Sequence, residues 1–135
     1  MSNVTKVNPT TLAPPLMGLY SQAVVADVRR LAFIAGQVAF DADGVLLGAN
    51  DYAAQARQAF TNLKNALAAV GAASANVVRM TIYVVDHRPE RIATVFDAGR
   101  EVFGADWPVT ASVLIGVQAL GMPEWLVEVD AIAAL

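Results

Sequence analysis

The side chains able to do chemistry are few, and their types narrow the reactions open to them. Among the 135 residues there is no cysteine and one histidine, His87. Without a thiol there is no thiolate nucleophile, no disulfide and no thiolate metal site. One histidine cannot form a metal cluster by itself. Thr110 and Ser112 carry hydroxyls, but a serine nucleophile needs a base within hydrogen-bond reach. His87 is far from Ser112 in sequence and precedes Pro89, so it reads as a solvated loop residue and a catalytic triad is not expected. Two carboxylates, Glu128 and Asp130, stand two residues apart in an alternating segment. Their plainest reading is a pair of charges on the wetter face of a strand.

Elements that hold these residues follow from periodicity. Ala56, Phe60, Leu63, Leu67 and Val70 recur at alternating spacings of four and three, which predicts one apolar stripe of a helix. Asn50 or Asp51 can cap its start, and Gly71 ends it. Gln55, Arg57, Gln58, Thr61, Lys64 and Asn65 fall off the stripe. A second helix opens at Pro89, carries Ile92, Val95, Phe96, Gly99, Val102 and Phe103 on its apolar side, and ends at Gly104. Residues 77–85, 111–117 and 126–134 read as strands. Residues 20–26 and 30–35 are short apolar runs separated by Asp27–Arg29, which predicts a hairpin. Residues 8–18, with three prolines and a glycine, read as an extended arm, and Asp41–Gly44 as a turn.

The expected architecture is α+β: a mixed sheet with two helices packed on one face. The rows Val78-Met80-Ile82-Val84, Ala111-Val113-Ile115-Val117 and Val127-Val129-Ala131-Ala133 are assigned to the helix side. The opposite rows then carry Arg79-Thr81-Tyr83-Val85, Thr110-Ser112-Leu114-Gly116 and Leu126-Glu128-Asp130-Ile132. That second face is too apolar for open water and too polar for a dry core. A subunit interface holding a polar pocket would suit it. Thr110 and Ser112 would then either line the pocket floor or satisfy neighbouring backbone.

Composition agrees. A length of 135 residues suits one domain spanning 1–135. The apolar fraction is 56% and the mean hydropathy +0.49, yet no apolar run reaches the roughly 18 residues of a membrane span. The excess points to contacts between subunits. A net charge of −3, with no basic stripe, argues against nucleic acid as a partner. The N-terminal stretch lacks the pattern of a secretory signal, so the expected compartment is the cytoplasm.

Several segments in order resemble the YjgF/Rid (reactive intermediate deaminase) family. Gly18-Leu19-Tyr20-Ser21-Gln22-Ala23 is similar to that family's G-P-Y-S-Q-A, and Ala35-Gly36-Gln37 to its S-G-Q. Gln55-Ala56-Arg57-Gln58, Asn62-Leu63-Lys64 and Ala69-Val70-Gly71 resemble its first helix. Val78 to Val84, Pro108, and Val127-Glu128-Val129-Asp130-Ala131-Ile132-Ala133 complete a match over about residues 15–135. Each motif is weak alone; the ordered set is specific. The resemblance implies a chorismate-mutase-like fold and a homotrimer with clefts between subunits. It also implies hydrolysis of enamines and imines such as 2-aminoacrylate, without metal or cofactor.

Carried onto this sequence, the resemblance makes Glu128 the catalytic residue, a general base for water. It makes Tyr20, Gly36, Thr110, Ser112 and Phe96 substrate-binding residues. Three departures stand out. Leu19 replaces a proline, Ala35 a serine, and Thr110 the arginine of P-x-R. An arginine fork binds a carboxylate through two charge-assisted bonds, and its loss costs on the order of several kcal/mol. Arg79 is a candidate replacement by alternation. Phe96, where a polar residue often lines the cleft, makes the pocket more apolar. The expected function is therefore deaminase-type hydrolysis of a small, non-standard molecule. The alternative is a non-catalytic trimer that binds a small ligand. An endoribonuclease is disfavoured by the acidity and the single histidine.

Overall fold

The computed structural model describes residues 3–135; the first two residues of the stretch read as lacking a secretory signal lie outside the described residues. In chain order the elements are β1 (Asn3–Val7), β2 (Ala23–Asp27), β3 (Leu31–Gln37), α1 (Tyr52–Ala69), β4 (Val77–Val85), α2 (Glu90–Phe103), β5 (Ala111–Val117) and β6 (Val127–Ala134). Four strands form a mixed sheet in the order β3-β6-β4-β5. Strands β4 and β5 run parallel, and β6 is antiparallel to both β4 and β3. The α+β class and the mixed sheet agree with the expectation. Among the described residues no helix is long and apolar enough to cross a membrane.

The helices form where the stripes place them. The Asp51 carboxylate caps α1 by accepting from the Ala54 N–H at 3.0 Å, and Gly71 follows with a positive φ, a conformation that costs glycine little. Phe60, Leu63 and Leu67 of α1 are buried, as are Val95, Phe96 and Phe103 of α2. They cover Met80, Ile82 and Val84 of β4 and Val127, Val129 and Ala131 of β6. Burying each large apolar side chain contributes about 1.5–3 kcal/mol. Trp107 joins this core, its ring edge-on to Phe60 at 5.4 Å and to Phe96 at 5.5 Å.

Four expectations need correction. The run at 20–26 does not pair with β3: β2 is hydrogen-bonded to β1, a strand the sequence reading passed over. In β4 a register shift between Val77 and Arg79 puts Val77, not Val78, on the buried side. Gln55 is fully buried although it lies off the apolar stripe. Its Nε2 donates to the Gly48 and Glu124 carbonyls, and its Oε1 accepts from the Leu126 N–H at 2.8 Å. With every polar atom satisfied, burial becomes tolerable.

The fourth correction concerns β5. Ser112 pairs in register with Met80, Leu114 with Ile82 and Gly116 with Val84. Residues in register on parallel strands share a face, so this row faces the helices. Val113 and Ile115 stand on the open face, 37% and 40% exposed. The row Ala111-Val113-Ile115-Val117 is the more apolar of the two, so alternation selects it for the core, and the register against β4 overrules that choice.

Candidate functional site

The open face carries Arg79, Thr81 and Tyr83 from β4, Val113 and Ile115 from β5, and Glu128, Asp130 and Ile132 from β6, aligned by the strand register. At its far edge Phe33 of β3 is 72% exposed. A mixed apolar and polar face is thus present, with its β5 residues exchanged relative to the expected rows.

Glu128 and Gly36 meet on this face. The β3–β6 ladder is irregular between Ile34 and Gln37, and Gly36 sits in that interruption. A Cβ built on Gly36 would lie 2.8 Å from both Cδ and Oε1 of Glu128. The carboxyl group therefore rests on the glycine, in space any other side chain would occupy. Gly36 is not among the glycines with positive φ, so close approach, not backbone conformation, explains the residue type.

The environment of Glu128 shifts its proton affinity. Partial burial pushes the carboxyl above its ordinary range, and the neighbouring Asp130 adds to the shift. Tyr83 is raised as well, by burial first and then by Asp130; its hydroxyl donates to Asp130 Oδ2 at 3.1 Å. Tyr83 thus occupies Asp130 and leaves Glu128 as the carboxylate over the exposed glycine. Such a group can take a proton from water, and a raised proton affinity makes it a stronger base.

Tyr20, Phe96 and Ser112 are brought together elsewhere, at a cavity of about 370 Å³ beside the edge strand β5. Leu16, Ile92 and Leu114 supply much of its apolar wall, and His87 also lines it. The Tyr20 segment is fastened on both sides. The Leu19 carbonyl accepts from Trp107 Nε1 at 3.1 Å, and the Ser21 N–H donates to the Thr110 carbonyl at 2.9 Å. Ser21 Oγ donates to the Val109 carbonyl at 3.3 Å. These bonds fix the segment against the chain that leads into β5.

Thr110 joins neither group. It is 1% exposed, and its hydroxyl donates to the Val77 carbonyl at 2.8 Å. The six site residues therefore divide into three places: Glu128 with Gly36, the Tyr20–Phe96–Ser112 cavity, and buried Thr110.

His87 is a cavity residue that sequence reasoning placed in a solvated loop. Its Nδ1 is enclosed and has no hydrogen-bond partner among the described residues. The available signal was Gly116, where a Cβ would come within 3.0 Å of His87 Cβ; the pairing of a strand glycine with a loop histidine appears only in the fold.

A family model described as endoribonuclease L-PSP matches residues 10–135. Protein DfrA of Myxococcus xanthus is 38% identical over 122 residues, covering 90% of this chain and 88% of its own. The 2-iminobutanoate/2-iminopropanoate deaminase of Bos taurus is 34% identical over 132 residues, covering 98% and 91%. The crystal structure of YyfB from Yersinia pestis, a Rid family protein of unknown function, superposes with a TM-score of 0.89 at 42% identity, covering 98% and 99%. The chain belongs to the YjgF/Rid family, matched here as endoribonuclease L-PSP.

Proposed function

We propose that the protein hydrolyses a small imine, or an enamine after tautomerisation, to a carbonyl compound and ammonia. Glu128 acts as the base. It takes a proton from water as the water oxygen bonds to the imine carbon and the C=N π pair moves to nitrogen, which is protonated. The resulting carbinolamine collapses as Glu128 passes its hydroxyl proton to nitrogen: the O–H pair closes the C=O bond, and the C–N pair leaves with nitrogen as ammonia. The reaction balances as imine plus water to carbonyl plus ammonia. The observation that carries this reading is Glu128 resting on exposed Gly36 with its proton affinity raised by burial. Similarity to the bovine imine deaminase supports the reaction class.

In this reading the substrate lies between subunits of a homotrimer. Glu128 on the open face and the cavity on the helix side of β5 belong to opposite faces of one sheet. One small ligand meets both when the β5 edge of one subunit approaches the open face of another. The exposed Phe33, Val113 and Ile115 supply apolar surface for that contact.

The substrate in this reading lacks the usual α-carboxylate. Thr110 stands where the family's deaminases carry arginine, and its hydroxyl is held by the Val77 carbonyl. It offers an anion neither charge nor a free donor. Arg79 pairs with Ile132, four strand positions from Glu128, a separation of roughly 13 Å. Within one subunit the two side chains would reach one small ligand only by extending toward each other.

Ammonia release from 2-iminopropanoate and from an uncharged imine, each generated in situ, tests the reading. Wild type should act on the uncharged imine, and Glu128→Gln should not. The lack of charge at Thr110 also favours a second reading, a non-catalytic binder. That reading predicts ligand-induced thermal stabilisation without ammonia release from any imine.

A further inference from the structure

We propose that Tyr83 is a positioning residue for the hydrolysis: its hydroxyl holds the Asp130 carboxylate away from Glu128, so that Glu128 alone meets the water. The inference rests on the hydrolytic reading for its reaction, but the latch itself is read from the sheet. Strand β6 lies between β3 and β4, and Glu128 has a neighbour on each side. Toward β3 its carboxyl rests on Gly36. Toward β4 its register partner is Tyr83. The Tyr83 hydroxyl reaches past Glu128 to the next residue on that face, donating to Asp130 Oδ2 at 3.1 Å. Thr81, the register partner of Asp130, bonds to the same phenol.

The latch matters because Glu128 and Asp130 share one face of a strand, two positions or about 7 Å apart along the backbone. Unrestrained, two such carboxyl groups can turn toward each other and hold one proton between them, which raises the proton affinity of the pair. A base in that state carries a proton where it should accept one. Asp130 already adds to the raised proton affinity of Glu128 at its latched position, and closer approach adds more. Among the described residues, the other charged or titratable groups on this face are Tyr83 and Arg79 of β4; β3 and β5 contribute none. Arg79 stands opposite Ile132, beyond Asp130 from Glu128. The Tyr83 phenol is therefore the group placed to keep the two carboxyls apart.

The sequence holds four glutamates, so the Glu128 carboxyl signal in a carbon-13 NMR titration is assigned by its absence from Glu128→Gln. Substrate-free wild type, Tyr83→Phe, Asp130→Asn and the variant carrying both changes are titrated in turn. Tyr83→Phe keeps the ring and should move the Glu128 midpoint to higher pH. Asp130→Asn removes the second charge and should move it lower, and adding Tyr83→Phe to that variant should move it no further. The acid limb of kcat/KM for imine hydrolysis should follow. On that limb Tyr83→Phe should lose up to about tenfold, the worth of one hydrogen bond, and recover as pH rises. A tyrosine that only packs would lower activity equally at every pH, with or without the Asp130 carboxyl. The proposal is overturned if the Glu128 midpoint is unmoved in Tyr83→Phe, or if Tyr83→Phe moves it as far in the Asp130→Asn background. Glu128→Gln separates the two proposals: retained imine turnover there defeats the hydrolytic reading, whereas the substrate-free midpoints decide the latch.

Discussion

Replacing Gly36 by alanine probes the Glu128–Gly36 contact with a single methyl group. The added Cβ would lie 2.8 Å from Glu128 Cδ and Oε1 and 3.1 Å from Cγ. Ordinary contacts begin near 3.4 Å, so the carboxyl must withdraw by about 0.6 Å or more. The atoms met are the far end of a flexible side chain, and the backbone at Gly36 is not in the left-handed region. Relief should therefore come from rotating Glu128 out of its preferred geometry, at about 0.5–1.5 kcal/mol, with the fold intact. Catalysis is less forgiving: moving a reacting group by about 1 Å costs on the order of 100-fold. The variant should melt within a few degrees of wild type yet lose most of its ammonia-releasing activity. Combined with Glu128→Gln, it should cause little further loss, because both changes disable one unit. Full activity in Gly36→Ala, or a collapse of stability with the remaining activity unchanged per folded molecule, would refute the reasoning.

The remaining predictions concern the scaffold and its charge. Gly99→Ala should destabilise by about 1–3 kcal/mol, since its Cβ would collide with the Trp107 ring and meet Phe60 Cε2 at 3.0 Å; those rings are locked in the core, and chemical denaturation measures the loss. Gln55→Leu should cost about 2–4 kcal/mol by leaving the Leu126 N–H and two carbonyls without their partner. Glu128→Gln should stabilise the fold at neutral pH: the native carboxyl is raised above its unfolded value, so its favourable contribution is complete below the unfolded value and is lost as pH rises through the folded one. Melting temperatures of the two proteins should therefore diverge as pH rises out of the acid range, with the glutamine variant higher.

Much of this fold was legible because helices announce themselves. The Asp51 cap, the Phe60–Leu63–Leu67 stripe and Gly71 needed only local spacing, and all three hold. What local spacing could not see were contacts between distant segments. Gln55, Gln58 and Asn62 look like solvent-facing helix residues, yet Gln58 and Asn62 donate to the Phe40 carbonyl, and Asn62 also to that of Val38. They clamp the loop before α1, which is a tertiary role with no periodic signature. Strand β5 misled alternation because its more apolar row, Ala111-Val113-Ile115-Val117, is the one on the open face, and only its register against β4 reveals this.

The candidate site was legible in its residue types more than in its geometry. Glu128 and Gly36 were named from motif resemblance, and the structure places them in contact. Tyr20, Phe96 and Ser112 were also named together and share one cavity. Thr110 was expected to face a ligand, but its hydroxyl satisfies the Val77 carbonyl inside the protein. His87 was passed over because a histidine between a strand and a proline usually points to solvent. Here, Gly116 opens the space that draws it in.

Single-turnover ammonia release from an uncharged imine, by wild type and by Glu128→Gln, tests whether Glu128 is the base. Wild type should turn over clearly and the variant should lose about 100-fold or more, despite its greater stability. Turnover that survives in Glu128→Gln, or wild-type release no faster than in solvent, would contradict it.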